Sequence, residues 1–223
     1  GGAGYGTILG NTFTIVAEKG TVTAPLGGDL DVAGTTLQVP DIFKIPADLN
    51  VSLRTRSPVT AALSIMDQPP FGYLTRANQP VDLATGRADV TAHLSLPLIK
   101  GLKPGDVTYQ VDAVLSQVST GTLIHNRTLS ADRLTLGVTR QGIHVEGQAT
   151  LDGVPVKGRW SQLFGPDQVG KSRVQATLDL SPASLATFAI GLPKGAVTGK
   201  GAGEIAVDLH RGQPPAFVLT SDL

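Results

Sequence analysis

The chain has 223 residues with no cysteine, and its 18 Lys and Arg balance 18 Asp and Glu. The missing cysteine excludes disulfide frameworks, thiolate metal sites and a cysteine nucleophile, and the neutral balance leaves no overall electrostatic footprint for nucleic acid or an anionic membrane surface. Glycine (27) and proline (15) are abundant while charged residues make up 16%, which suits a chain of many strands and turns.

The chain opens GGAGYG, without an initiator Met or a basic segment followed by an apolar one, and reads as an internal piece of a longer protein. Its glycines fit strand ends and bulges. Weak apolar alternation marks 12–17, 29–39 and 49–56 as strands. The proline-punctuated stretch MDQPPFGYLTRANQP (66–80) reads as another short turn or an irregular excursion, and a soft division of the chain falls near 66–86. Beyond it, Ala88, Val90, Ala92, Leu94 and Leu96 alternate with Asp89, Thr91, His93 and Ser95. Val107, Tyr109, Val111, Ala113 and Leu115 repeat the pattern against Thr108, Gln110 and Asp112. Both are long strands with one apolar and one wet face, because the side-chain period of a strand is two.

The clearest stretch is 134–160. Leu134, Leu136 and Val138 lead into the turn Arg140-Gln141-Gly142, and Ile143, Val145, Ala149 and Leu151 return on one face. Asp152-Gly153 supplies the positive φ of a tight hairpin, and Val154, Val156 and Trp160 begin a third strand. Val174, Ala176, Leu178 and Leu180 form another apolar face, and 202–209 alternates again. Ser181 and Pro182 predict a short helix over 181–190, with Leu185, Phe188 and Ala189 on one side and Gly191 and Pro193 ending it. The whole of 1–223 therefore reads as one continuous, mainly β unit with one or two short helices.

Residues 165–172, GPDQVGKS, match the G-x-x-x-x-G-K-[ST] phosphate loop. That loop works when a buried strand enters it and a helix N-terminus leaves it toward the phosphates. Here the following SRVQATLDLS alternates as a strand, so Gly165, Gly170, Lys171 and Ser172 read as a chance match and not a nucleotide site. ALSIMD (62–67) ends in Asp67 but lies about a hundred residues upstream of it. His93, His125, His144 and His210 are scattered without metal-ligand spacing, and no nucleophile elbow G-x-S-x-G occurs. The expectation is no catalytic residue, no metal and no cofactor.

What remains is geometric. A sheet face of Val, Leu and Ala is buried by a second sheet, by curling on itself, or by an apolar ligand. Two readings stay open: a closed sandwich acting as a non-catalytic envelope or adhesin module that binds glycans or protein partners, and an open curled sheet that keeps its apolar face for lipid.

The block GRADVTAHLSLPLIKGLKPGDVTYQVDAVLSQVS (86–119), LSADRLTLGVTRQGIHVEGQATLDGVPVKGRW (129–160) and the downstream IGLP (190–193) resemble the AsmA-like envelope proteins, in the branch that includes YhdP and TamB. The resemblance covers about two thirds of the chain and rests on the order of its motifs. It implies a large periplasmic protein of Gram-negative bacteria, held in the inner membrane by an N-terminal anchor outside this chain. Its curved antiparallel meander would form an open U-shaped apolar groove carrying phospholipid acyl chains toward the outer membrane, with an outer-membrane partner as a further expectation. The groove lining expected on this reading is Val90, Ala92, Leu94, Leu96, Val107, Tyr109, Val111, Leu134, Leu136, Val138, Ile143, Val145, Leu151, Val154, Val156, Trp160, Ala176, Leu178 and Leu180.

Overall fold

In chain order the strands and helices of the computed structural model are β1 (Gly2–Leu9), β2 (Thr12–Thr23), β3 (Asp29–Asp31), β4 (Thr36–Val39), β5 (Asp48–Pro58), α1 (Val59–Met66), α2 (Tyr73–Ala77), β6 (Thr85–Pro97), β7 (Thr108–Thr120), β8 (Leu129–Val138), β9 (Gly142–Leu151), β10 (Val154–Leu163), β11 (Lys171–Leu180), β12 (Gly201–His210) and β13 (Ala216–Ser221). The structure describes residues 1–69, 72–124, 126–181, 184 and 201–221. Among the described residues, thirteen strands join one antiparallel sheet in which sequence neighbours are sheet neighbours except β3 and β4, and β1 and β13 lie at its edges. The fold is an extended β-meander.

Local chemistry sets the hairpins. Between β9 and β10, Asp152 (φ 48°) and Gly153 (φ 82°) both take positive φ, the two-residue turn whose twist matches that of the flanking strands. Asp152 is tied further: Arg127 Nη1 and the Thr128 N–H donate to its carboxylate at 2.8 and 2.9 Å.

The stretch 29–39 does not run as one strand. β3 and β4 share a single position in the sheet between β2 and β5, and the chain leaves the ladder between them. The Thr35 hydroxyl, 3.2 Å from both the carbonyl and the N–H of Arg54, occupies the gap. A side chain thus replaces ladder hydrogen bonds that the detour removes, and Thr35 is buried as a result.

Two short helices precede β6. Residues 62–66 of ALSIMD belong to α1, and Asp67 is its C-cap. Pro58 precedes the helix at φ −58°, and the Ala-rich VTAALSIM that follows has good helix formers. α1 covers one end of the sheet, packing Ala61 with Ala24 and Leu30 while the Ser64 hydroxyl accepts the Leu26 N–H. Asp67 then starts the next helix. Its carboxylate accepts the N–H groups of Leu74 and Thr75 and the Thr75 hydroxyl, and those three donors hold it below the usual carboxylate range, the hydroxyl contributing most. α2 falls inside 66–80, where another short turn or an irregular excursion was expected. The helix expected over 181–190 lies outside the described residues except at its start, where the Ser184 N–H donates to Ser181 Oγ at 3.1 Å.

GAGYGTIL becomes strand β1, with a register shift at Ala3/Gly4. A Cβ at Gly4 would sit 2.2 Å from the Val16 carbonyl oxygen, so the backbones approach there only because the residue is glycine.

A chain of 23.0 kDa folded as a compact globule exposes about 9,600 Å². This one exposes 14154 Å², and no large side chain among the described residues is fully buried. The excess is the surface of a sheet with two open faces. Among the described residues no helix is long and apolar enough to cross a membrane.

Candidate functional site: one apolar sheet face

The register decides which side chains share a face. Val90 pairs with Ala113, Ala113 with Leu136, Leu136 with Val145, Val145 with Trp160, Trp160 with Val174, Val174 with Val207 and Val207 with Phe217. Directly opposed residues of paired strands project to the same side, so this row is unbroken apolar contact running across the strands. A second row runs Leu53, Ala92, Val111, Val138 and Ile143. Every expected lining residue from Val90 to Leu180 projects to this face from within a strand except Val107. β7 begins at Thr108, which leaves Val107 in the preceding loop, because the Pro104–Asp106 3₁₀ turn ends immediately before it.

The opposite face is polar. Cross-strand ion pairs Arg56–Asp89, Arg159–Glu146 and Arg173–Asp208 span it at 2.9, 2.8 and 3.5 Å, and His93 Nδ1 lies 3.1 Å from Ser52 Oγ. These pairs are exposed and each contributes little to stability. They fix which face is wet.

The two faces differ in crowding. On the apolar face Ala88 and Ala92 are 3% exposed and Leu180 2%, although no second sheet lies over them. α1, which packs on β5 and β6, shields the end near Ala88; elsewhere neighbours in the same layer contribute. The local clusters have that form: Val118, Ala131 and Leu134 with Leu115, Val145 and Ala149, and Leu178 and Leu180 with Val156, Ile205 and Leu219. Each draws on adjacent strands. Leu134 leans over Gly147, where an added Cβ would meet its Cδ2 at 2.9 Å.

Three shallow depressions of about 770, 760 and 980 Å³ lie along the polar side. The first is bordered by Arg133, Glu146, Lys157, Arg159, Gln175, Glu204 and Thr220.

The phosphate-loop match resolves structurally. Pro166–Gln168 forms one 3₁₀ turn, Gly170 has φ 73°, and Lys171 and Ser172 open strand β11. β10 and β11 are antiparallel, so the octapeptide is a hairpin loop and no helix N-terminus aims at a phosphate. His144 projects to the polar face, over Gly137; His125 lies outside the described residues. Among the described residues no group of three His, Asp or Glu side chains is arranged to hold a metal ion.

The face extends beyond the expected lining in both directions, through Leu37, Val39, Leu49, Val51 and Leu53 on β4 and β5, in stretches read as alternating, and through Ile205, Val207, Phe217 and Leu219 on β12 and β13, of which only β13 escaped the pattern. β13 hides because Phe217, Val218 and Leu219 are consecutive apolar residues without alternation. The signal that finds it is a short run rich in aromatic and β-branched residues, bounded by Pro214-Pro215.

No family model, curated protein or solved structure matches this chain.

Proposed function

We propose that the apolar face is a conduit for hydrocarbon, and that the chain is a segment of a periplasmic AsmA-like protein whose groove carries phospholipid acyl chains between the inner and outer membranes. The observation that supports this reading is the register-continuous apolar face over which, among the described residues, no second sheet lies and only α1 packs, at the β3 end. A sheet face left in water forgoes roughly 25 cal/mol for each Å² it could have buried, and acyl chains recover that energy without needing placed polar groups. The row from Val90 to Phe217 crosses seven strand intervals, roughly 34 Å at ~4.8 Å each. One leaflet contributes about 15 Å of a bilayer's hydrocarbon core, so the row is long enough for more than one chain length.

The test is mass spectrometry of lipids extracted from the protein purified without detergent. Co-purified phospholipid in near-stoichiometric amount is expected. A lipid-free protein that also fails to bind added phospholipid would overturn the reading.

A second reading, a non-catalytic envelope module, is favoured by the depressions of the polar side, whose mixed charges and hydroxyls suit glycans or a protein partner. It predicts binding that is lost on changing Arg133 and Lys157 and is indifferent to the apolar face.

A further inference from the structure

Because the sheet is a meander, its loops fall on two opposite rims. One rim carries the β1–β2 turn, the β4–β5, β6–β7, β8–β9 and β10–β11 loops and the β12–β13 turn. These connections are laced to one another. The Ile42 N–H donates to the Asn11 carbonyl, the Leu98 N–H to Ala47, the Phe164 N–H to Gln141 and the Arg211 N–H to Gly170, while Arg140 Nη2 reaches the Gly105 carbonyl at 3.2 Å. The rim is therefore a continuous ordered edge.

More than half of the large apolar side chains exposed on the described residues lie on or beside this rim. At its tips Ile45 is 94% exposed, Val169 74% and Phe43 73%. Single exposed apolar residues are ordinary; a connected line of them marks an interaction surface.

The charge of the rim is also one-sided. Segments 10–11, 40–48, 98–107, 139–141, 164–171 and 211–215 hold six Lys and Arg against four Asp, a net charge of +2 by residue type, with Lys44 paired to Asp48. Asp41 and Asp106 accept the backbone N–H groups of Phe43 and Lys103. Lys100, Lys103, Lys171 and Arg211 have no ion-pair partner among the described residues.

We propose that the basic rim docks on an anionic lipid bilayer, its apolar loop tips entering the interface while the lysines and arginines meet headgroup phosphates. Apolar tips interleaved with cations are the composition that binds such surfaces, because hydrocarbon insertion and attraction to anionic lipid act together. The partner is the membrane surface and not a lipid held on the apolar face, so this inference stands whether or not that face carries acyl chains.

The experiment is co-sedimentation of the full chain with vesicles of phosphatidylcholine, with and without phosphatidylglycerol. Binding to the phosphatidylglycerol vesicles, weakened by added salt, is expected. Ile45→Ser with Phe43→Ser, and separately Lys100→Gln with Lys103→Gln, each weaken it about tenfold or more. Ile45→Leu retains it, as does Leu123→Ser on the opposite rim. Absence of binding to anionic vesicles overturns the proposal, as does binding that these rim variants leave unchanged. Retention on a soluble polyanion without vesicle binding overturns it too. The salt dependence of the unmodified chain keeps the test decisive should a loop variant misfold.

Discussion

Replacing Leu136 with Glu tests the conduit most directly. Leu136 lies near the middle of the cross-strand row, opposed by Ala113 and Val145, and Val145 is in turn opposed by Trp160. A carboxylate there bars hydrocarbon from its own strand and both neighbours. Losing roughly 100 Å² of apolar contact at about 25 cal/mol per Å² is about 2.5 kcal/mol, or about seventy-fold in affinity. The chain supplies its own reporter, since Trp160 is the only tryptophan and projects to the same face. Quenching by a brominated phospholipid gives the affinity, circular dichroism monitors the sheet, and Val145→Glu is expected to behave alike. Gln175→Glu is the control: it is exposed on the polar side, opposite Arg159 and Ala206, and leaves affinity unchanged. A folded Leu136→Glu protein that binds as tightly as the parent would refute the reasoning.

Leu180→Ala removes a side chain that is 2% exposed and packed over Gly203; a loss of about 2–3 kcal/mol in urea unfolding is expected. Gly153→Val puts a β-branched residue at φ 82° and should cost about 1–2 kcal/mol, read as a lowered Tm. Asp67 and Asp152 are held below their ordinary 3.8, Asp67 first by the Thr75 hydroxyl and Asp152 first by the Arg127 guanidinium. A depressed folded pKa gives stability that is complete above 3.8 and is lost as pH falls through the folded value. The Tm difference between the parent and an Asp67→Asn, Asp152→Asn double variant should therefore shrink below that pH; a difference independent of pH contradicts the assignment.

The face assignments from β6 to β11 were readable because alternation survives wherever one side of a strand is wet and the other is not. His93 beside Leu94, or Gln175 beside Ala176, declares a side without any knowledge of neighbours. The reading weakened where a local feature overrode the period. Thr35 supplies hydrogen bonds that only the adjacent Arg54 backbone reveals, and the β3–β4 break is invisible without it. β1 has too many glycines to carry an apolar pattern, β13 too few polar residues to show alternation, and α1 is short enough to pass for a strand end.

By itself the sequence determined the period of each strand, the turns at Asp152-Gly153 and around 140, and the strand character of Lys171 and Ser172 that separates GPDQVGKS from a nucleotide cradle. These are local properties, set by backbone dihedrals and the projection of neighbouring side chains. Only the tertiary structure decided that the faces join in one register across the sheet and that alternate loops lace into one rim bearing the apolar tips Ile45, Phe43 and Val169. Register and rim are relations between residues distant in the chain, and they arise when pairing brings those residues side by side.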